Sequence, residues 1–169
     1  MTNKSWAQPA GLGVVSLLVL VVLWAGMARA GQVAWLEYSN ARFGYIFFHP
    51  VYFEPQPEAD NGDGRRFLAP EYEAEASAWG SVLLAPSLEN EFQQVQGYLI
   101  QGGASVTYSS KGEDWFVLSG YAPDGRIYYR RTILQDGVLA SFILTYPEVH
   151  KNFFAPVVEL MAMHLRFAE

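Results

Sequence analysis

The sequence predicts an α+β fold, a mostly antiparallel sheet with helices on both faces (an α/β/α sandwich). Three observations carry this. The stretch from Trp115 to Tyr146 reads as three consecutive strands, broken by Ala122-Pro-Asp-Gly125 and by Asp136-Gly137. Pro presets φ for the first turn, and Gly accepts the positive φ that hairpin turns demand. A two-residue turn at Asp136-Gly137 sets Gln135 opposite Val138, Leu134 opposite Leu139, and so on to Ile127 opposite Tyr146. One face then carries Ile127, Tyr129, Arg131, Ile133, Ala140, Phe142, Leu144 and Tyr146. The other carries Tyr128, Arg130, Thr132, Leu134, Leu139, Ser141, Ile143 and Thr145. Neither set is polar, so both faces need at least partial cover. Two helical stretches, 87–101 and the segment after Pro147, are available to provide it.

Composition bounds the class. The chain has 169 residues, 51% hydrophobic and 15% aromatic, enough for one domain with a real core. The formal net charge is −6. Without residues 1–30, which hold Lys4 and Arg29 and no acid, 9 basic residues face 17 acidic ones, a net charge of −8. That balance argues against nucleic acid and anionic membrane surfaces as partners. The chain has no cysteine, which excludes disulfides, thiol chemistry, Cys-ligated metal and a lipoprotein anchor.

Residues 1–30 read as a targeting segment. Lys4 gives a positive start, Gly11–Met27 is a run of seventeen uncharged, mostly apolar residues, and Ala28-Arg29-Ala30 matches an A-x-A cleavage pattern. The rival reading is an uncleaved membrane anchor through residues 11–27. Either way the expected location of the folded part, residues 31–169, is extracytoplasmic: the bacterial periplasm or secreted, or held at the inner membrane by the N-terminal segment.

The domain opens with strands at Trp35–Tyr38 and Phe43–Phe48 around the turn 39–42, closed by His49-Pro50. Residues 54–66 have the composition of a long loop. Phe67-Leu68 begins a short strand, residues 69–77 are acidic and alanine-rich, and Trp79–Ala85 is a further strand. From Ser87 to Gln101 the pattern is helical. Ser87 is a cap, Glu89 and Glu91 suit the positive end of the dipole, and Leu88, Phe92, Val95 and Leu99 form one stripe. Gly102-Gly103 ends it. Ser105–Tyr108 is a strand before the meander. The last helix is expected to end near Arg166, with Pro156 in its first turn or at a kink, and with Val157, Leu160, Met161 and His164 as its apolar stripe and Val158 and Leu165 beside it.

The run from Tyr38 to Pro50 (YSNARFGYIFFHP), followed by Phe53, resembles the opening of PsbP/Mog1-like domains. The later helix, the aromatic meander and the closing His164-Leu-Arg-Phe167 agree in order, over roughly residues 35–167. The segments 61–67, Trp79-Gly80 and 115–120 are also similar to a group of small exported proteins of proteobacteria. The resemblance implies an α/β/α sandwich and a non-catalytic, binding habit. The roles of two branches, photosystem assembly and partnership with a small GTPase, do not transfer to a periplasmic chain.

Candidate sites follow from residue chemistry. Arg65 and Arg66 can hold a carboxylate or phosphate through forked hydrogen bonds. Trp79, Trp115, Tyr121, Tyr128, Tyr129, Arg130 and Arg131 can join apolar area to fixed donors in a cleft, with Trp79, Trp115, Tyr128 and Arg130 the leading candidates, and the same residues also build cores. Arg130 and Arg131 point to opposite faces, so one should lie under or beside a helix. Asp60, Asn61 and Asp63 offer oxygens but miss the EF-hand order, and the adjoining arginines are expected to neutralise them. Glu71, Glu73 and Glu75 share a face if extended. His49, His150 and His164 lack metal-ligand spacing, and Ser119 lies in no nucleophile elbow. No cofactor and no metal site is expected. The expected function is a non-catalytic extracytoplasmic binding or accessory domain for a protein or small-molecule partner. The alternatives are an envelope-acting hydrolase with an unrecognised site and a membrane-tethered assembly factor.

Overall fold

In a computed structural model of the chain, the residues described are 33–168. The targeting segment and its cleavage pattern lie outside them.

The hairpin that the sequence specifies best forms as expected. Strands β8 (Ile127–Gln135) and β9 (Val138–Tyr146) pair antiparallel from Gln135↔Val138 to Ile127↔Tyr146. Asp136 and Gly137 have φ of 50° and 78°, the two positive values of a type I′ turn. Around this hairpin lie β3 (Glu54–Glu58), β4 (Gly64–Ala69), β5 (Ala74–Val82), β6 (Ser105–Lys111) and β7 (Trp115–Tyr121). They complete a seven-stranded antiparallel sheet in the order β3-β4-β5-β9-β8-β7-β6. A second, three-stranded sheet joins β1 (Trp35–Ser39), β2 (Tyr45–Pro50) and β10 (Arg166–Phe167) in the order β1-β2-β10. Helix α1 spans Leu88–Gln101 and helix α2 spans Lys151–His164. None of the described helices is long and apolar enough to cross a membrane.

Each helix covers one face of the large sheet. Ser87 caps α1, its Oγ accepting from the Asn90 N–H. The stripe Leu88, Phe92, Val95 and Leu99 packs on Phe116, Leu118 and Tyr128. This cover reaches from β6 through β8 to Ile143 of β9, leaving that face of β4 and β5 open. The opposite face is covered more widely, by α2 over β8 and β9 and by the small sheet over β4 and β5, and stays partly open toward β6 and β7. Phe47 of β2 stands 5.3 Å from both Phe67 of β4 and Phe142 of β9. The alanines of β5, Ala74, Ala76 and Ala78, make room for these rings, and Gly80 lies directly under Phe43, where a Cβ would sit 2.4 Å from that side chain.

Three expectations are corrected. Residues 54–66 are not a long loop: Glu54–Glu58 is an edge strand, and β4 begins at Gly64. An edge strand tolerates Pro55 and Pro57, because an N–H facing outward is not needed for pairing. The buried stripe of α2 is Phe154, Val157, Val158, Met161 and Ala162, while Leu160 and His164 point outward. The helix ends at His164, and Arg166-Phe167 leaves it to pair with Ile46 and Tyr45 of β2. Glu71, Glu73 and Glu75 do not share a face. Glu71 lies in a 3-10 turn (Pro70–Tyr72), Glu73 has φ of 49°, and only Glu75 is in a strand.

Candidate functional site

Cross-strand register sorts the candidate residues by face. Arg66, Ser77, Ile143 and Arg130 lie in one row across β4, β5, β9 and β8, and Trp79, Ser141 and Thr132 in the next. Both rows belong to the half-open face. The Arg130 guanidinium lies 5.0 Å over the Trp79 ring. Trp79, Ser77, Arg66, Asp63 and Pro57 line an open pocket of about 230 Å³ on the β4 side of this indole. Arg66 is held in an exposed ion pair with Glu75, at 2.8 Å. Beneath the stack, the buried hydroxyls of Thr132 and Ser141 satisfy each other at 2.8 Å.

Arg130 is the chemically unusual member. Among the described residues it forms no ion pair, and its Nε is buried without an acceptor. Burial pulls the guanidinium down to about 10, and the charge of Glu91 on α1 opposes this only in part. A desolvated cation without a close ion-pair partner is costly unless something else pairs with it. Stacking on an indole recovers about 0.5–2 kcal/mol, and leaves the guanidinium edge free for a forked contact with an anion.

The mirror arrangement occupies the other face. Arg131 lies 4.9 Å over the Trp115 ring, and its Nε is also buried without a partner. It lines a groove of about 340 Å³ between α2 and the strands, with Tyr108, Tyr129, Val158, Glu159 and Met163. The Tyr129 phenol is pushed up by burial, and the Arg131 charge pulls against that shift.

The remaining sequence candidates go elsewhere. Tyr128 is 2% exposed beneath α1 and donates to the Ser105 carbonyl, so it belongs to the core. The Arg65 guanidinium turns to the opposite face and lies 5.0 Å over the Tyr38 ring. Trp115 stands on the face opposite Trp79. The 61–63 turn is closed by Asn61 donating to Asp63 and by Arg42 donating to the Asn61 carbonyl. The arginines expected to neutralise its acids engage Tyr38 and Glu75 instead. Ser119 donates to the Tyr128 carbonyl at 2.7 Å, a strand-stabilising contact. Among the described residues no group of three or more His, Asp or Glu is placed to hold a metal ion. Arg131 and Tyr129 are cleft candidates by sequence, but Tyr108 and Glu159 are not, because their meeting with Arg131 depends on where α2 docks.

The histidines are drawn into ring packing. His150 meets Tyr72 and Phe154 edge-on, and His164 lies against Phe48. His49 is buried between Phe47 and Phe67, with ring centroids at 6.2 and 4.5 Å. Its Nδ1 lies 3.0 Å from the Pro50 carbonyl, which can only accept, so Nδ1 carries the proton. Burial lowers its pKa below the ordinary histidine value, and the Pro50 carbonyl opposes this less strongly. The unfolded chain therefore takes up a proton at higher pH than the fold does. Stability contributed by neutral His49 is full above the unfolded value and is lost as pH falls through it toward the folded one. Urea titrations across that window should show stability falling with acidity, with a shallower slope in His49→Phe. Equal slopes in the two proteins would contradict this assignment.

No family model matches the sequence, and no curated protein matches it. The solution structure of cyanobacterial PsbP (CyanoP) from Synechocystis sp. PCC 6803 matches with a TM-score of 0.63 at 13% sequence identity, over 83% of this chain and 96% of that one. The chain has a PsbP-like fold, and at this identity the likeness is one of fold alone.

Proposed function

We propose that the chain is a non-catalytic binding or accessory domain that works outside the bacterial cytoplasm, in the periplasm, and that residues 11–27 link it to the membrane where they stay uncleaved. The observation that carries the binding reading is Arg130: a desolvated guanidinium stacked on Trp79, beside an open pocket, that forms no ion pair with any described residue and feels Glu91 only at longer range. A hydrolase site built on His49 or His150 would need a carboxylate beside one of them, and both rings pack against aromatic side chains. The location rests on the sequence pattern of residues 1–30.

If Arg130 is kept for a ligand, it is a liability to the empty fold. Arg130→Met is expected to leave the free protein as stable or about 1 kcal/mol more stable. It should also abolish the rise in unfolding temperature given by an anionic ligand. Thermal unfolding of the purified full chain against a panel of organic acids, nucleotides, sugars and divalent metals reads both effects. A variant that is strongly destabilised, with every ligand shift unchanged, would sink the reading.

A further inference from the structure

We infer that the groove between α2 and strands β6–β8 is a second ligand site, and that it takes a small monocarboxylate with an apolar body. This inference rests on the binding-domain reading, but on different residues and the opposite face of the sheet. Its anchor is Arg131. The guanidinium is fixed over Trp115 at 4.9 Å, its Nε has no acceptor, and it forms no ion pair with any described residue. A guanidinium whose plane is held by an indole presents its remaining donors along one edge, the geometry that a carboxylate matches with two parallel hydrogen bonds.

The rest of the lining selects among anions. Glu159 of α2 shares the groove, so a dianion such as inorganic phosphate meets a like charge that a single carboxylate can avoid. No lysine and no second arginine lines the groove to offset it. The remaining surface is apolar or aromatic: Ala155, Val158, Ala162 and Met163 from the helix, Tyr108 and Tyr129 from the strands. Met163 is 65% exposed and Tyr108 is 56% exposed, so apolar area stands uncovered at the rim within reach of a ligand's chain. A volume of about 340 Å³ lies at the small end for ligand sites. A medium-length acyl chain or a single aryl ring would suit it. The C-terminal carboxylate of an apolar peptide carries the same chemistry as a free acid.

The purified full chain should be titrated with octanoate and, in parallel, with a short apolar peptide bearing a free C-terminus. The signal is the indole N–H resonance that Trp115→Phe removes. At least one of the two is expected to saturate with a dissociation constant below about 1 mM, and the better binder identifies the source of the carboxylate. Octanamide, the peptide amide and inorganic phosphate should not saturate. Arg131→Gln is expected to weaken binding at least tenfold. Met163→Asp, at an exposed position where folding is not at stake, should do likewise by adding a second like charge. Octanamide binding as well as octanoate would overturn the inference, as would saturable binding that survives both substitutions. Carboxylate binding lost in Arg130→Met but kept in Arg131→Gln would overturn it too, while leaving the binding-domain reading in place. Saturation by none of the probes overturns the present site alone.

Discussion

Phe142→Ala is expected to be the most damaging single truncation in the core, lowering stability by about 3–5 kcal/mol. Phe142 is fully buried on β9, the central strand of the large sheet. It joins the two layers, lying 5.3 Å from Phe47 of the small sheet and 5.9 Å from Tyr129 on its own face. The site cannot readily collapse around a cavity. Its cross-strand neighbours are Ala78 and Arg131, the first too small to swell into the space and the second fixed on Trp115. A chain without disulfides has no other staple. A loss of this size is a large part of the 5–15 kcal/mol that typically separates folded from unfolded domains. Urea unfolding should show a lower midpoint with an unchanged slope. Leu84→Ala, at a side chain 90% exposed, should stay within about 0.5 kcal/mol. A loss below about 1 kcal/mol for Phe142→Ala would mean that the two sheets are not held together through this ring.

How much of this was legible depended on the range over which each signal acts. The β8–β9 register was readable from Asp136-Gly137, because a two-residue turn fixes every later pair. Helix α1 was readable because its cap, acidic first turn, stripe and terminal glycines all lie within one stretch of chain and agree. Strand β3 was not, since Pro55, Pro57 and the two acids Glu54 and Glu58 make an edge strand look like a loop. The rotation of α2 was legible only in part: Val157, Val158, Met161 and Leu165 are buried as the pattern implies, while Leu160 and His164 are not. Its stripe was counted from Val157, and Phe154, which sets the buried face by meeting Phe53, Tyr146 and Tyr72, lay outside the count. The small sheet depends on β10 returning to β2 after more than a hundred residues, and no local pattern announces that. The candidate site divides in the same way. Alternation placed Arg130 and Arg131 on opposite faces, which holds. Their stacking partners, Trp79 three strands into the sheet and Trp115 at the start of β7, were among the residues singled out, but without the knowledge of which arginine each would meet. Only the docking of α2 brings Arg131 to Glu159 and Met163.

The same glycine-to-alanine change should have opposite signs at two positions, and the larger effect is at Gly120. This residue lies in β7, paired with Val106 of β6 and Tyr128 of β8. A Cβ there would stand 1.8 Å from the Ser105 carbonyl oxygen and 2.8 Å from its carbon. Both are backbone atoms, so no rotamer change relieves the clash. The close approach belongs to the irregularity in β6 between Val106 and Tyr108, which bends the start of that strand over β7. Gly120→Ala must therefore lift Ser105 away, and with it the hydrogen bond from the Tyr128 hydroxyl. The expected loss is about 3 kcal/mol. Because β6 has only β7 beside it, the damage should be concentrated there. Amide exchange should speed up along residues 105–111 well before it does along β5 and β9. Gly97, inside α1, has nothing within 4 Å of an added Cβ and a φ in the ordinary range. Gly97→Ala should stabilise the protein by up to about 1 kcal/mol through helix propensity. If both substitutions were tolerated alike, β6 would not be packed against β7 as closely as the Ser105 contact requires, and Tyr108 would not be held at the edge of the Arg131 groove.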